Sequence, residues 1–406
     1  MKFFEDCDGV TEPKGFFASG VSCNILGKNN AKLDLGVLYS PRPCSGAGTF
    51  TNNDVKAAPV RYCMDLLGNT KQSFHGIVAN SGNANACTGI QGESDCRKMA
   101  SETARHLQVL PNEILVCSTG RIGVELPMSR ITAGISNACQ DNLDELDGGK
   151  AFQQAILTSD TRTKSCSAQI NTPSGAVTIG GVVKGAGMIQ PNMATMLAFL
   201  TTDAQLPSSL LSECLKNAVN QSFNRITIDG DMSTNDTVLF LANGFTGINL
   251  KKESSNVIKQ FQEAVERICS CLAKKCVTDG EKVTKFVELH VAGASNASKA
   301  EKVARCIANS LLVKSSWYGS DPNWGRIVDA AGYAQIGLDF NSLDLWYGDV
   351  PAVVKGKPLV MNKPKWKEIV SNKSFSIRLN LNQGKSDATL WTNDLSEEYV
   401  NYNKSE

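Results

Sequence analysis

The sequence predicts an α+β protein, a layered α/β/β/α-type sandwich with a smaller second subregion. Amphipathic helical segments and short apolar strand segments both occur along the 406 residues, but the two kinds do not alternate regularly. An irregular order favours separate layers of helix and sheet over a doubly wound parallel sheet. A chain of this length also has enough residues for a large core and two subregions.

Four segments place apolar residues at helical spacing, so each would present one apolar face to the core. In one of them, Val257, Phe261 and Ala264 recur at intervals of three or four residues. The predicted helices cover residues 94–108, 208–220, 256–276 and 298–313.

Seven short apolar runs have the length and composition of buried strands. They cover residues 76–80, 114–118, 176–183, 196–202, 237–242, 286–291 and 375–381. These strands would form the sheet layers against which the helices pack.

The composition is typical of a globular protein. Apolar residues make up 42% of the chain, charged residues 20%, and the formal net charge is +1. This charge gives no electrostatic reason to expect nucleic acid or an anionic membrane surface as a partner. No apolar run approaches the length that crosses a bilayer, and the acidic residues near the start do not fit a signal peptide. We therefore expect a cytoplasmic protein.

The 14 cysteines are scattered from Cys7 to Cys306, which favours reduced, buried thiols over a disulfide framework. Cys269, Cys271 and Cys276 lie close in sequence, but no second cysteine pair accompanies them and the chain has three histidines. A zinc site is therefore not expected, and no metal is assigned.

The segment 184–197 contains the most informative pattern in the chain. A lysine, two glycines and a Pro-Asn turn precede Ala194 and Thr195, and an apolar run follows from Met196. A threonine in this position is usually only a strand residue. If the bond between Ala194 and Thr195 breaks, however, Thr195 carries a free α-amine beside its hydroxyl. Because such an amine has a pKa of about 7.7–8.0, one residue would supply both nucleophile and base at neutral pH.

A second pattern follows the predicted strand 114–118, where Thr119 and Gly120 offer a hydroxyl and a backbone N–H. Two donors that converge on one oxygen form an oxyanion hole, although Ser-Thr-Gly after a strand is also a common turn. The loop 80–89, which is rich in small residues, is expected to have a structural role near the same site.

Other loops do not match known ligand motifs. The acidic loop 228–236 has Thr234 where an EF-hand needs glycine, so a network of Asx and Ser turns is expected. The turn 321–326 leads into a predicted helix and is assigned no catalytic step. Gly185 and Gly187 lack the third glycine of a dinucleotide loop, and no phosphate loop is complete. No cofactor is therefore expected.

The segment 184–197 resembles the self-processing site of the ornithine acetyltransferase, or glutamate N-acetyltransferase, family. The family motif runs Lys-Gly-x-Gly-Met-Ile-x-Pro-Asn-Met-Ala-Thr-Met-Leu, and every defined position is matched. Further similar blocks begin at residues 9–16 and recur towards the C-terminus. The resemblance therefore covers essentially the whole chain.

The resemblance implies a precursor that cleaves itself between Ala194 and Thr195. The products would be an α fragment, residues 1–194, and a β fragment, residues 195–406, which associate as an α2β2 assembly. It also implies an acetyltransferase of arginine biosynthesis that moves an acetyl group from N-acetylornithine to glutamate through an acetyl-Thr195 enzyme, with ping-pong kinetics. Thr119 and Gly120 would stabilise the tetrahedral intermediate. Whether acetyl-CoA serves as a second acetyl donor stays open, because the sequence contains no recognisable CoA-binding loop and the reaction does not require one.

The resemblance assigns substrate contacts to Thr158, Lys184, Thr195, Glu281 and Asn403. Lys184 would anchor the α-carboxylate that both substrates carry, and Glu281 would pair with the ornithine ammonium. Without the resemblance, Thr158 would be interpreted as a helix-end residue and Lys184 as a solvated loop residue. Glu281 would be interpreted as an ordinary acid at a helix start or turn. The family's tail ends in a serine or threonine that also contacts substrate, whereas here Ser405 or water would have to take that place.

Two other interpretations remain open. An N-terminal-threonine amidase or aminopeptidase would use the same nucleophile with water as the acceptor, and it would release acetate. An uncleaved, non-enzymatic scaffold would retain the fold and run as one full-length band on a denaturing gel.

Overall fold

The computed structural model describes residues 1–28, 31–69, 72–140, 143–144, 146–190 and 196–404. The chain forms two compact units, and each is described by itself. The larger unit comprises Met1–Ala186, Asn192–Asn224 and Met232–Cys276, and the smaller comprises Gly187–Pro191, Arg225–Asp231 and Val277–Glu406.

The first unit contains strands and helices in mixed order. Its described strands are β1 (Lys2–Glu5), β2 (Phe17–Val21), β3 (Leu35–Phe50), β4 (Phe74–Asn80), β5 (Ile114–Ser118), β6 (Ser165–Thr172), β7 (Gly175–Lys184), β8 (Leu197–Thr202) and β9 (Thr237–Ala242). Its described helices are α1 (Ala58–Leu67), α2 (Gly89–Leu107), α3 (Met128–Gln140), α4 (Gly148–Ala155), α5 (Ser208–Gln221) and α6 (Ser255–Thr278).

Strand β3 connects two parts of one sheet because its partners change along its length. Its first half pairs with β2 and β4, whereas its second half pairs with β9, and the register shifts between Tyr39 and Cys44. The strand order is β1-β6-β7-β8-β9-β3-β4-β5, with β2 beside β3. The pairs β4–β5 and β8–β9 are parallel, and the other described pairs are antiparallel.

The two parts of the sheet share one core. Ile77 of β4 and Phe199 of β8 belong to the same buried cluster. Val78, the next residue along β4, instead packs in a cluster with residues of α2 and α3, because successive side chains on a strand point to opposite faces. On β9, Phe240 stacks against Phe261 of α6 with ring centroids 6.4 Å apart. The layers therefore run helix, sheet, sheet, helix, and the predicted α/β/β/α sandwich is confirmed.

The second unit has a separate sheet and core. Its strands are β10 (Phe286–Ala294), β11 (Asp344–Tyr347), β12 (Val350–Val354), β13 (Lys357–Pro358), β14 (Ser374–Asn380) and β15 (Ser386–Asn393), in the order β13-β12-β11-β14-β10-β15. Its helices are α7 (Ala297–Ala308), α8 (Leu311–Tyr318), α9 (Trp324–Gly332), α10 (Lys363–Ser371) and α11 (Glu397–Asn403). Only β10–β14 is parallel among its described pairs. Trp317, Tyr347 and Trp366 are buried in its core.

The prediction of a single helix over residues 298–313 is wrong. The chain forms α7 and α8 there, separated by Asn309 and Ser310. The Ser310 hydroxyl accepts the Val313 N–H at 3.3 Å, so it begins a new helix as an N-cap. The other three predicted helices correspond to α2, α5 and α6, and the seven predicted strands to β4, β5, β7, β8, β9, β10 and β14.

The predicted cleavage site falls in the connection between β7 and β8. Lys184 at the end of β7 is the register partner of Leu197 at the start of β8. The first unit therefore includes strands from both sides of that site, and the predicted fragments 1–194 and 195–406 do not coincide with the two units. The division into fragments stays a prediction.

Candidate active site

The loop after β5, which carries Thr119, is fixed by side-chain amides. The Thr119 N–H donates to the Asn80 carbonyl at 3.0 Å, and the Ser118 hydroxyl donates to Asn80 Oδ1 at 2.7 Å. Asn235 Nδ2 donates to the Ser118 carbonyl at 2.9 Å. Asn80 begins the loop 80–89, so the expected structural role of that loop beside Thr119 is confirmed.

Gly120 occupies a position that no other residue fits. Its φ of +133° is strained for residues with a side chain, and a Cβ would lie 2.2 Å from the backbone carbon of Gly82. The N–H groups on either side donate to the carbonyls of Asn80 and Gly82. The Gly120 N–H itself has no acceptor among the described residues, so it is available to a ligand.

Lys184 extends from the end of β7 to the Thr119 hydroxyl. Its side chain is 3% exposed, and its Nζ donates to Thr119 Oγ1 at 3.3 Å. Because the Thr119 oxygen accepts from the ammonium, the hydroxyl hydrogen can be donated elsewhere. The structure thus brings together two residues that separate sequence motifs predicted.

Asp160 is a site residue that the sequence analysis missed. Its carboxylate accepts Lys164 Nζ at 2.6 Å and the Gly185 N–H at 2.7 Å, and Oδ2 lies 4.0 Å from Lys184 Nζ. Both lysine side chains are almost fully buried. Burial alone would raise the pKa of Asp160, but the ammonium groups of Lys184 and Lys164 outweigh burial and hold this pKa well below its usual range.

Thr158, a predicted substrate contact, belongs to the same network. Its N–H donates to Asp160 Oδ2 at 3.1 Å, and its carbonyl accepts Lys32 Nζ at 3.0 Å. The structure therefore links Thr158 through Asp160 to Lys184. The sequence gives one weak indication of the role of Asp160 in this network, because Asp160 lies four residues before Lys164.

Asp236, immediately before β9, is a second carboxylate that the sequence analysis did not assign. It is fully buried, and its Oδ1 accepts the Met196 N–H at 3.0 Å. Burial raises the pKa of Asp236 well above its usual range, although the Met196 N–H and the charge of Lys184 oppose the change. Ala194 and Thr195, the predicted cleavage residues, lie outside the described residues.

In the second unit, the two other predicted substrate residues contact each other. Asn403 Nδ2 donates to Glu281 Oε2 at 3.2 Å. A Cβ at Gly187 would lie 2.5 Å from the Glu281 carboxyl carbon, so any larger residue there would displace the carboxylate from this position. The structure therefore brings Gly187, Glu281 and Asn403 together, and their substrate contacts stay predictions.

Asp229 fixes the segment that leads towards the predicted cleavage site. Its carboxylate accepts the N–H groups of Met188 at 2.6 Å and Ile189 at 2.8 Å, and the Tyr399 hydroxyl donates to it at 3.3 Å. Asp229 also accepts the Asp231 N–H at 3.3 Å, which is an Asx turn. In the first unit the Ser233 hydroxyl accepts the Asn235 N–H at 3.0 Å, so the expected turn network is confirmed.

The turn 321–326 begins a helix, as predicted. Asn323 is the N-cap of α9, and its Oδ1 accepts the Arg326 N–H at 3.3 Å. It is assigned no catalytic step.

Across the described ranges, no group of three or more His, Cys, Asp and Glu side chains could hold a metal ion. The 14 cysteines all lie within those ranges and form no disulfide. No helix in the same part of the chain combines the length and the apolar character needed to cross a membrane.

The fold and this site define a class of protein. A buried ammonium and a hydroxyl are in contact at strand ends of an α/β/β/α sandwich, and the next residue has a backbone N–H without an acceptor among the described residues. This arrangement is suited to an enzyme that stabilises an oxyanion during acyl transfer. Over residues 17–405 the chain matches the model of the ArgJ family, and it belongs to that family.

Curated relatives match almost the whole chain. The arginine biosynthesis bifunctional protein ArgJ of Thermotoga neapolitana is 42% identical over 395 residues, which cover 96% of this chain and 98% of that protein. The protein of the same name from Symbiobacterium thermophilum is 43% identical, with 98% of each chain covered. A crystal structure of the ArgJ protein of Bacillus halodurans shares 37% identity, covers 48% of this chain and 98% of that chain, and gives a TM-score of 0.44.

Proposed function

We propose that this chain transfers an acetyl group from N-acetylornithine to glutamate through a Thr195 acetyl-enzyme, after self-cleavage between Ala194 and Thr195. As a member of its family, the protein is an acyltransferase of arginine biosynthesis that acts on small molecules. The observation that carries the detailed proposal is the contact between Lys184 and Thr119 beside the Gly120 N–H, which has no acceptor among the described residues.

The proposed chemistry begins with attack on the acetamide carbonyl. Thr195 Oγ bonds to the carbonyl carbon while the α-amine of Thr195 accepts the hydroxyl proton. The Thr119 hydroxyl and the Gly120 N–H hold the developing oxyanion, and one such donor contributes about 3 kcal/mol to lowering the barrier. Ornithine leaves with the returned proton, and the glutamate amine then takes the acetyl group by the reverse steps.

The substrate carboxylate is assigned to Lys184. Its ammonium is buried beside Thr119 and is oriented by the Asp160 carboxylate, so it offers a positive charge next to the proposed oxyanion donors. Thr158 is held against the same carboxylate. Glu281 as the partner of the ornithine ammonium, and Asn403 as its neighbour, complete the proposed contacts.

The second donor, the assembly and the location are further parts of the proposal. The curated relatives are called bifunctional, which favours a second reaction, and we assign acetyl-CoA as its donor. No bound cofactor is required by the chemistry.

The α and β fragments are expected to stay together and to form an α2β2 assembly. Fourteen cysteines without a disulfide support a reducing compartment, the cytoplasm.

The test is Thr195→Ala, compared with the wild type and with Thr172→Ala, which changes a threonine of the β6–β7 turn. The wild type and Thr172→Ala should give two fragments on a denaturing gel and should convert N-acetylornithine and glutamate to ornithine and N-acetylglutamate. Thr195→Ala should remain full length and inactive. Activity that survives in Thr195→Ala would refute the proposal.

The same experiment separates the two alternatives. Release of acetate without N-acetylglutamate would indicate the amidase, and a single full-length, inactive wild-type band would indicate the scaffold. Glutamate incubated with acetyl-CoA alone tests the second donor.

A further inference from the structure

Lys314 of α8 is a buried lysine that the proposed transfer reaction does not use. Its Nζ donates to three acceptors at the end of β15, which are Thr392 Oγ1 at 3.1 Å, Asn393 Oδ1 at 2.9 Å and the Asn393 carbonyl. All three residues are almost fully buried. Burying an ammonium group costs free energy even when it is well hydrogen-bonded, so its presence here points to a role besides stability.

Lys314 fixes the orientation of the Asn393 side-chain amide. An ammonium group carries three hydrogens and accepts no hydrogen bond, so the amide oxygen of Asn393 must face it. The amide nitrogen is then directed to the other side, where it donates to the Val277 carbonyl at 3.4 Å. The lysine therefore determines which backbone group the amide nitrogen of Asn393 contacts.

Asn393 in turn contacts the turn that carries Glu281. The Val277 carbonyl also accepts the Gly280 N–H at 3.4 Å, so the Asn393 amide and the turn share one acceptor. A Cβ at Gly280 would lie 2.8 Å from Asn393 Nδ2, so the amide lies directly against the residue before Glu281. The Asn393 amide therefore helps to define the backbone position from which the Glu281 carboxylate extends.

The far end of the same loop is held by the residue after Asn393. The Asp394 carboxylate accepts the N–H groups of Thr284 at 2.9 Å and Lys285 at 3.0 Å. The Leu395 N–H donates to the Lys314 carbonyl at 3.3 Å, so the segment 392–395 is held by both the side chain and the backbone of Lys314. Both anchors of the loop 277–285 thus belong to a segment that Lys314 fixes.

We propose that Lys314 is a positioning residue for Glu281. Through Asn393, it would hold the Glu281 carboxylate where that group binds the ammonium of the donor substrate. This inference rests on the proposed function, because it requires Glu281 to be the partner of the ornithine ammonium. Lys314 is then a determinant of specificity for donors with a cationic side chain, and it takes no part in the acetyl transfer itself.

The experiment compares two donors that differ in the terminal amine, N-acetylornithine and N-acetylnorvaline, each with glutamate as the acceptor. Lys314→Met keeps an unbranched apolar side chain but removes the hydrogen-bond donors. We expect kcat/KM for N-acetylornithine to fall about tenfold or more, mainly through KM, the usual effect of weakening one hydrogen bond to a charged group. For N-acetylnorvaline, which has no ammonium for Glu281, kcat/KM should keep the wild-type value.

Lys285→Met is the matched control. Lys285 is also buried, and its Nζ donates to the Ser320 hydroxyl and to the Val370 carbonyl at 2.6 Å each. Neither acceptor belongs to the segment 392–395. This control also loses buried hydrogen bonds, but it should discriminate between the two donors as the wild type does. An equal selective loss in Lys285→Met and Lys314→Met would overturn the assignment.

A double-mutant cycle tests whether Lys314 acts through Glu281. Glu281→Gln removes the charge, so adding Lys314→Met to it should change kcat/KM for N-acetylornithine by less than about twofold. A fall as large as in the presence of Glu281 would overturn the assignment of Lys314 alone. A wild type that uses both donors equally well, or is inactive, would instead refute the proposed function.

If Lys314→Met does not fold, as judged by thermal melting, Asn393→Leu decides. This variant removes the amide that links the lysine to the loop, but it leaves Thr392 Oγ1 and the backbone carbonyl of residue 393 as acceptors for Lys314. It should show the same selective loss with N-acetylornithine. Wild-type discrimination between the donors in Asn393→Leu would overturn the inference.

Discussion

Replacing Asp160 with alanine should strongly destabilise the first unit. The carboxylate accepts two backbone N–H groups and faces two buried ammonium groups, those of Lys164 and Lys184. Removing one partner of a buried ion pair costs about 3–5 kcal/mol, because the remaining charge is left without compensation. Because two ammonium groups lose their partner, we expect the free energy of unfolding to fall by about 5 kcal/mol, near the upper end of this range.

The assay is urea denaturation of the Thr195→Ala precursor with and without Asp160→Ala, so that every sample is one uncleaved chain. Glu93→Ala is the control, because its ion pair with Arg61 is about half exposed on both sides. An exposed pair contributes less than about 1 kcal/mol. If Asp160→Ala cost no more than Glu93→Ala, the buried network would not stabilise the fold and the reasoning would be refuted.

The pH dependence gives a second measurement on Asp160. Its pKa is lower in the folded state than the value of about 3.9 expected in the unfolded chain. The unfolded state therefore binds a proton before the folded state does as the pH falls. The contribution of Asp160 should be fully present above about pH 3.9 and should be lost below it, towards the lowered folded-state pKa.

Two further predictions concern single side chains. Thr119→Ala should lower kcat by about 10²–10³-fold while KM changes little, because the hydroxyl acts on the oxyanion; unchanged turnover in steady-state kinetics would exclude that role. Lys314→Met should flatten the pH dependence of stability, because burial lowers the pKa of Lys314 to about 7. Between about pH 7 and pH 10.4 the unfolded chain binds a proton that the native chain lacks, so the wild-type free energy of unfolding should rise with pH. Equal slopes for wild type and variant in urea titrations would contradict this.

The fold was predictable where a segment is apolar along its whole length. Strands β5 and β9 have the predicted bounds because their residues are almost all apolar. The 16-residue strand β3 was missed, since Pro41, Pro43 and several glycines interrupt its pattern where the strand changes partners. The break between α7 and α8 lies beside Ser310, whose hydroxyl caps the second helix. Because a cap does not change the spacing of apolar residues, that spacing did not predict the break.

The site was predictable where one short motif carries the chemistry. Thr119 and Gly120 could be singled out as a possible oxyanion hole from the loop after a predicted strand, whereas Lys184 was assigned through the family resemblance, and the roles of all three stay predictions. Asp160 and Asp236 acquire their importance from burial and from contacts 25 and 40 residues away along the chain. A single sequence does not contain that information.

The position of β8 and β9 in the sheet has a consequence for synthesis of the protein. These two strands, both C-terminal to residue 195, are inserted between β7 and β3, which are both N-terminal to it. Pulling the halves of a nicked chain apart would break two strand pairings and expose four hydrogen-bonding edges, each a template for aggregation. The halves made from separate genes should therefore assemble poorly, whereas translation as one polypeptide lets the sheet close before any bond is cut.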